Sequence, residues 1–201
     1  MTTICLVRHG ETDWNAMGKL QGREDIPLNK RGGEQADIVG RYLQDRHFSA
    51  IYTSPLLRAK QTAERIARFC GDAPLIVNDD LIEKDYGDAS GMTVTERDHY
   101  FPIGSAIPGA ESLEHVKQRV QRALAEIGRA YPDNEVLAVA HGGAINALLS
   151  LLSRGAIGTG KTRLFNTCIS HICWGANGWQ IIDYNRIDHL AALGEITSID
   201  G

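Results

Sequence analysis

Thr3-Ile4-Cys5-Leu6-Val7-Arg8-His9-Gly10-Glu11-Thr12-Asp13-Trp14-Asn15 is an apolar run of strand length that ends in an Arg-His pair just before a glycine. Gly10 frees the backbone to turn, so Arg8 and His9 stand at a strand's carboxyl end. Open α/β sheets bind their ligands at that edge, so this one segment predicts both an α/β fold and where its site lies.

Working outward, the second half of the chain repeats the pattern. Glu135 to Ala140 is apolar enough to be a strand buried on both faces, and it ends in His141-Gly142-Gly143 ahead of the helical Ala144 to Leu152. A histidine therefore sits before a helix N-terminus whose free amides can bind an anion. Between the two His-Gly turns, Phe48 to Thr53 reads as a strand, and Ser54-Pro55-Leu56-Leu57-Arg58 turns it into a helix with Arg58 in the first turn. Pro74 to Val77 reads as a third strand that delivers Leu81-Ile82-Glu83-Lys84-Asp85-Tyr86-Gly87 to the same rim.

The connecting segments supply scaffold. Asn29 is a plausible N-cap for a helix beginning at Lys30, and a long amphipathic helix runs through Val116, Val120, Leu124 and Ile127. Asn177-Gly178 between Ile169–Trp174 and Trp179–Tyr184 is a hairpin signal that predicts an antiparallel strand at the sheet's edge. That edge offers a surface for homodimer pairing. Thr95 to Pro108 is turn-rich and reads as a cover on the substrate side, and the tail beyond Asp188 reads as weakly ordered. His115 and His171 read as structural.

Composition bounds what the chain can do. With 201 residues and 43% hydrophobic content, one domain spanning 1–201 can bury a core without disulfides. A net charge of −4 leaves no general basic field for nucleic acid or an anionic membrane. An anionic ligand must instead be gathered by a local cluster of positive groups. Cys5, Cys70, Cys168 and Cys173 show no CxxC spacing and read as free thiols of a cytoplasmic protein. There is no signal-like leader and no apolar stretch of membrane-spanning length.

Leu6-Val7-Arg8-His9-Gly10-Glu11-Thr12 resembles the signature of the histidine phosphatases, the superfamily that contains the cofactor-dependent phosphoglycerate mutases. Ser-Pro-Leu-x-Arg-Ala-x-Gln-Thr-Ala around Arg58, the Leu-x-Glu at Glu83 and the second His-Gly at His141 follow in that family's order. The resemblance implies a three-layer α/β/α fold of the phosphoglycerate mutase type, with a mostly parallel sheet and an antiparallel edge strand. It implies His9 as nucleophile, Glu83 as proton donor and acceptor, and Arg8, Arg58 and His141 as groups that stabilise the transferring phosphoryl. Asn15 matches a phosphate-binding asparagine of the family pattern, and Gln21, Gly22 and Gly142 are further candidates for contact with substrate. No metal and no cofactor is implied.

Those residue types suit the chemistry. A phosphate monoester brings close to two negative charges, and fixed donors aimed at that charge are most of what catalyses its transfer. The attacking histidine must be neutral at the attacking nitrogen, whereas His141 would act as a protonatable donor. The acid at Glu83 would need a pKa raised toward neutrality. Asp88-Ala89-Ser90-Gly91 stands where many of the family's phosphatases carry Trp-Glu-Gly, a departure that bears on the leaving-group pocket.

The reading that results is a metal-independent phosphatase of small phosphorylated metabolites. Two alternatives stand beside it. The family's mutases are typically longer and carry Asn after the second His-Gly, where this chain has Gly143, yet Tyr86-Gly87 and the missing Trp-Glu lean toward them. A non-catalytic binder of phosphorylated ligands is opposed by the joint presence of Arg8, His9, Arg58, Glu83 and His141. Gly155 to Thr162 also spells the phosphate-loop pattern GxxxxGK[ST]. It follows a helix and precedes a strand-like Phe165 to Ile169, the reverse of the context such a loop requires.

Overall fold

The computed structural model describes residues 1–175 and 178–193. In chain order the strands are β1 (Thr2–Arg8), β2 (Ala50–Thr53), β3 (Leu75–Val77), β4 (Glu135–Ala140), β5 (Ile169–Gly175) and β6 (Gly178–Arg186). The helices are α1 (Asp13–Ala16), α2 (Lys30–Leu43), α3 (Leu57–Ala67), α4 (Val94–Tyr100), α5 (Leu113–Ala130) and α6 (Gly142–Leu152). The strands form one sheet in the order β3-β2-β4-β1-β5-β6. β1 to β4 pair in parallel; β5 runs antiparallel to β1, and β6 antiparallel to β5.

Strand alternation sorts the core into two layers. Ile4 and Leu6 of β1 and Val136, Ala138 and Ala140 of β4 pack with α5 and α6. Cys5 and Val7, with Leu137 and Val139, face the other way onto α2 and α3. Both faces of the sheet are therefore covered, which is why β1 and β4 read as unbroken apolar runs. All four cysteines are free and buried within these layers or at their margins.

Chain order and sheet order together create the site. β1 leads through α2 on one face to β2, skipping over β4, whereas β4 leads through α6 on the opposite face to β5. The connections leave β1 and β4 in opposite directions, so a crevice opens at their carboxyl ends. The Arg8–Ala140 register is extended by His9 N–H donating to the Ala140 carbonyl at 3.0 Å, which sets His9 beside His141.

Local rules account for most helix starts. Asn29 accepts the Gly32 amide as the N-cap of α2, and Ser112 caps α5 through the His115 amide. Three segments differ from expectation. Within the stretch read as a turn-rich cover, Val94–Tyr100 is a helix, started by a Thr93–Glu96 capping box that satisfies two of the orphan amides. Phe165 to Cys168 is a turn, and β5 begins only at Ile169, because the Thr167 amide folds back onto the Arg8 carbonyl at 3.1 Å. Asp188–Leu193, expected to be weakly ordered, forms a 3-10 helix that buries His189 and Leu190. Asn177 of the hairpin turn and the residues after 193 lie outside the described residues.

The turn after β1 is held by backbone packed on backbone. A Cβ on Gly10 would lie 2.4 Å from the Gly32 carbonyl oxygen, and one on Gly32 would lie 2.0 Å from that of Glu11. The start of α2 thus rests directly against the Gly10–Glu11 turn. Gly33, one residue on, would meet only the guanidinium of Arg65, at 3.1 Å. Gly32→Ala is expected to cost about 1–3 kcal/mol or more by overpacking, and to lower activity by shifting Gly10. Gly33→Ala should stay within about 1 kcal/mol of wild type, since gained helix propensity offsets the displaced arginine. Urea unfolding midpoints compare the two; equal losses would contradict the backbone-contact account.

Candidate active site

The crevice holds a cleft of about 440 Å³, lined by residues at or after the carboxyl ends of the four parallel strands. β1 supplies Arg8 and His9, the start of α3 supplies Arg58, the segment after β3 supplies Glu83 and Tyr86, and α6 supplies Gly142 and Gly143. Asn15 and Gln21 line it as well. His141 is fully buried behind this surface, with its ring centroid 5.1 Å from that of His9.

The tautomer of His9 follows from its partner. Nδ1 lies 2.7 Å from the Gly10 carbonyl oxygen, which can only accept, so Nδ1 carries the proton and Nε2 presents a lone pair. Gly10 is itself held, its amide donating to Thr62 Oγ1 at 3.0 Å while that hydroxyl donates to the Arg58 carbonyl. At His141, Nε2 lies 2.6 Å from Ser54 Oγ, and Ser54 Oγ accepts the Leu56 amide. Taking this N–H leaves the Ser54 proton free to go to Nε2, an arrangement that would put the His141 proton on Nδ1. Among the described residues, that Nδ1 has no hydrogen-bond partner.

Burial holds both imidazoles well below the usual histidine range, reinforced by the nearby charges of Arg58 and Arg8. Each ring is therefore neutral at physiological pH in the free protein. That state suits His9, and it means that any donation from His141 comes from a neutral Nδ1–H, not from the charged ring expected from sequence. Arg58 is fully buried, and burial brings it down to about 10, still protonated at neutrality. Its two terminal nitrogens donate to the carbonyls of Glu24 and Gly22 at 2.7 and 2.8 Å. Arg8 donates to the Leu164 carbonyl, and the Nε atoms of both arginines are without partners among the described residues.

Glu83 is docked on the N-terminus of α6. Its Oε2 accepts the Gly143 amide at 2.9 Å, and Oε1 accepts the amides of Ala144 at 3.0 Å and Lys84 at 2.7 Å. The docking needs Gly143, where a Cβ would stand 2.4 Å from Glu83 Oε1 and 3.2 Å from the Tyr86 hydroxyl. The carboxylate thus occupies amides that could otherwise have bound an anion directly. Tyr86 stays a neutral phenol because burial and the adjoining Glu83 carboxylate both push its pKa up.

The remaining candidates divide. Asn15 Oδ1 takes hydrogen bonds within the Thr12 capping box and from Asn166, leaving its Nδ2 as the group it can offer a ligand. Gln21 is anchored the same way, with Oε1 accepting from Thr12. Gly22 is not brought to the cleft; its contribution is the carbonyl that holds Arg58. Ala89, where the family's tryptophan was expected, is fully buried in a short 3-10 turn. Ser54 and Thr62 were not singled out from sequence, and Tyr86 was noted only for its likeness to the mutases. Ser54 and Thr62 lie within the quoted Arg58 motif, but nothing in spacing says which side chains they touch. The Gly155–Thr162 segment follows α6 and leads to β5, so no helix opens from it. Its Thr159, Gly160 and Thr162 instead form part of the cleft wall.

Residues 4–187 match the family model of the histidine phosphatase superfamily (branch 1). A protein of Bacillus subtilis (strain 168) named Uncharacterized phosphatase PhoE is 47% identical over 193 residues, 96% of this chain and 99% of that one. A Probable phosphoglycerate mutase GpmB of Salmonella choleraesuis (strain SC-B67) is 34% identical over 208 residues, 96% of each chain. A mutant phosphoserine phosphatase of Entamoeba histolytica, solved in complex with phosphoserine, superposes with a TM-score of 0.83 at 27% identity, covering 94% of this chain and 100% of that one.

The two lowered histidines make stability depend on pH with a definite sign. Above the ordinary value of 6.5 both rings are neutral folded and unfolded, and their contribution is fully present. Below it the unfolded chain takes up protons that the folded rings refuse, so stability falls as pH falls. The expected slope between pH 6.5 and 5 is up to about 1.4 kcal/mol per pH unit for each ring. Urea unfolding across that range should show it, and His141→Asn should remove about one proton's share. A flat profile would contradict neutral burial of the pair.

Proposed function

Because the chain belongs to the histidine phosphatase superfamily, we propose that its two-histidine cleft hydrolyses small phosphomonoesters through a phosphohistidine on His9, with no metal taking part. The observation that carries this reading is the Gly10 carbonyl at 2.7 Å from His9 Nδ1, which makes Nε2 the nucleophilic atom. The phosphoryl oxygens would be met by Arg8 and Arg58, with Asn15 Nδ2 and Gln21 at the edge of the cleft. Those fixed cations supply the charge neutralisation that a metal provides in other phosphoryl transfers.

In the first step His9 Nε2 attacks phosphorus as the ester oxygen leaves on the opposite side. Glu83, which lines the same cleft and must enter this step protonated, gives that oxygen its proton. In the second step Glu83 takes a proton from water as water attacks the phosphohistidine, and His9 is released with Nδ1 still held by Gly10. His141, set by Ser54, would donate to the transferring group through Nδ1. The approach of a dianion between Arg8 and Arg58 relieves the like-charge crowding that adds to burial in holding both rings neutral.

Phosphate release is to be measured with excess chelator on 3-phosphoglycerate, sugar phosphates, nucleotides and an aryl phosphate. His9→Ala should lower turnover at least about 10³-fold, while the chelator leaves wild type unchanged. Retained activity in His9→Ala, or loss on chelation, would overturn the reading. Glu83→Gln should cost about 10²–10⁴-fold on alkyl esters and much less on the aryl ester, whose leaving group departs without a proton. An equal loss on both would remove Glu83 from the acid role. Phosphoryl exchange between phosphoglycerates primed by a bisphosphoglycerate, with no phosphate released, would favour the mutase alternative.

A further inference from the structure

A charged side chain interrupts the buried face of α5. Val116, Val120, Ala123, Leu124 and Ile127 form the apolar stripe of a helix packed on a sheet, and Arg119, 3% exposed, sits among them. A buried guanidinium is tolerated only when its charge is paired and its donors are used. Nε and one terminal nitrogen of Arg119 form a fork on the two carboxylate oxygens of Glu111, at 2.8 and 2.9 Å. The other terminal nitrogen donates to the carbonyls of Asp80 and Ile82, at 2.9 and 2.5 Å. A well-packed apolar pair is often as stable as a buried ion pair, so stability alone does not account for this one.

The pair grips the segment that carries Glu83. Ile82, whose carbonyl Arg119 holds, is the residue before Glu83; two residues after Glu83, the Asp85 carbonyl accepts the Glu111 amide at 2.9 Å. The main chain is thus held on both sides of Glu83, and the two grips are joined through the fork. Between β3 and Glu83 the only regular structure is the 3-10 turn Asp79–Leu81, so no helix or strand fixes the approach to Glu83. Neither Arg119 nor Glu111 lines the cleft, so neither meets a substrate there.

We propose that the Arg119–Glu111 pair positions the general acid: it fixes where the 82–85 segment presents Glu83 to the leaving-group oxygen. Arg119 is a positioning residue that acts through Glu83. A guanidinium fork sets a direction as well as a charge, which the single ammonium of a lysine does not. The proposal rests on the reading of Glu83 as the acid, and the experiment tells the two apart.

The test measures kcat/KM on the best alkyl ester of the panel above and on the aryl ester, whose leaving group departs without a proton. Both are assayed on one preparation, so the amount of folded enzyme cancels from their ratio. Arg119→Lys should lower the alkyl-to-aryl ratio about tenfold or more, since misplacing a reacting group by about 1 Å can cost about 10²-fold. Glu111→Gln should shift the ratio the same way, and it supplies the reading if Arg119→Lys yields no folded protein. On a Glu83→Gln background Arg119→Lys should lower the ratio no further, as expected of a residue that acts through Glu83. Arg122 forks the carboxylate of Asp80 on the exposed side of the same segment, at 2.8 and 3.0 Å, and Arg122→Gln should leave the ratio unchanged. A lowered ratio in Glu83→Gln beside an unchanged one in Arg119→Lys overturns the positioning role alone. So does a shift as large in Arg122→Gln, or a further fall on the Glu83→Gln background. An unchanged ratio in Glu83→Gln overturns the acid reading and the positioning role with it.

Discussion

Two guanidinium groups share one end of the sheet, and the hydrogen bonds they donate go to main-chain carbonyls instead of carboxylates. Arg58 is held by Gly22 and Glu24, and Arg8 by Leu164. Taking a cation out of water costs several kcal/mol, and a carbonyl answers its hydrogen-bonding needs without cancelling its charge. The field that remains adds to burial, the larger cause, in keeping two adjacent histidines neutral. Binding and reactivity thus have a common origin. In the proposed mechanism the charge that would attract a phosphate ester also adds to burial in leaving His9 Nε2 unprotonated.

The rest of the architecture can be read as what keeps those groups in place. The β1–β4 register sets the two imidazoles side by side, and the opposed crossovers to α2 and α6 open the space in front of them. Close backbone contacts then remove slack: Gly10 on Gly32 behind His9, and Gly143 beneath Glu83. Neither contact leaves room for a side chain, so the positions of His9 and Glu83 are fixed by main chain, the stiffest material the fold has. Thr62 and Ser54 add a further layer by orienting Gly10 and His141.

Much of this was legible in the sequence, because the strong signals were short-range. The runs Thr3–Arg8 and Glu135–Ala140, each ending at a His-Gly, gave two central strands and the edge on which the cleft lies; Asn29 marked a helix start that the fold keeps. The Thr93–Glu96 capping box is equally visible, but the prolines and glycines that crowd the residues after it mask its signal. What sequence could not supply was partnership across distance. Nothing in spacing says that the Gly22 carbonyl turns to Arg58, that Ser54 meets His141, or that the glycine-rich segment after α6 becomes a cleft wall. The neutrality of His141 likewise comes from burial beside Arg58 and Arg8, a property of the assembled site.

The central claim is that His9 Nε2 takes the phosphoryl group, and trapping that intermediate tests it most directly. Wild-type protein would be mixed with an aryl phosphate, quenched in alkali within the first turnovers, and examined by mass spectrometry and phosphorus NMR. The account predicts one phosphoryl group per chain, stable to alkali and labile to acid, on Nε2 of His9. A phosphoryl group on His9 Nδ1, on His141 or on an oxygen side chain, or turnover with no phosphoenzyme at any quench time, would contradict it.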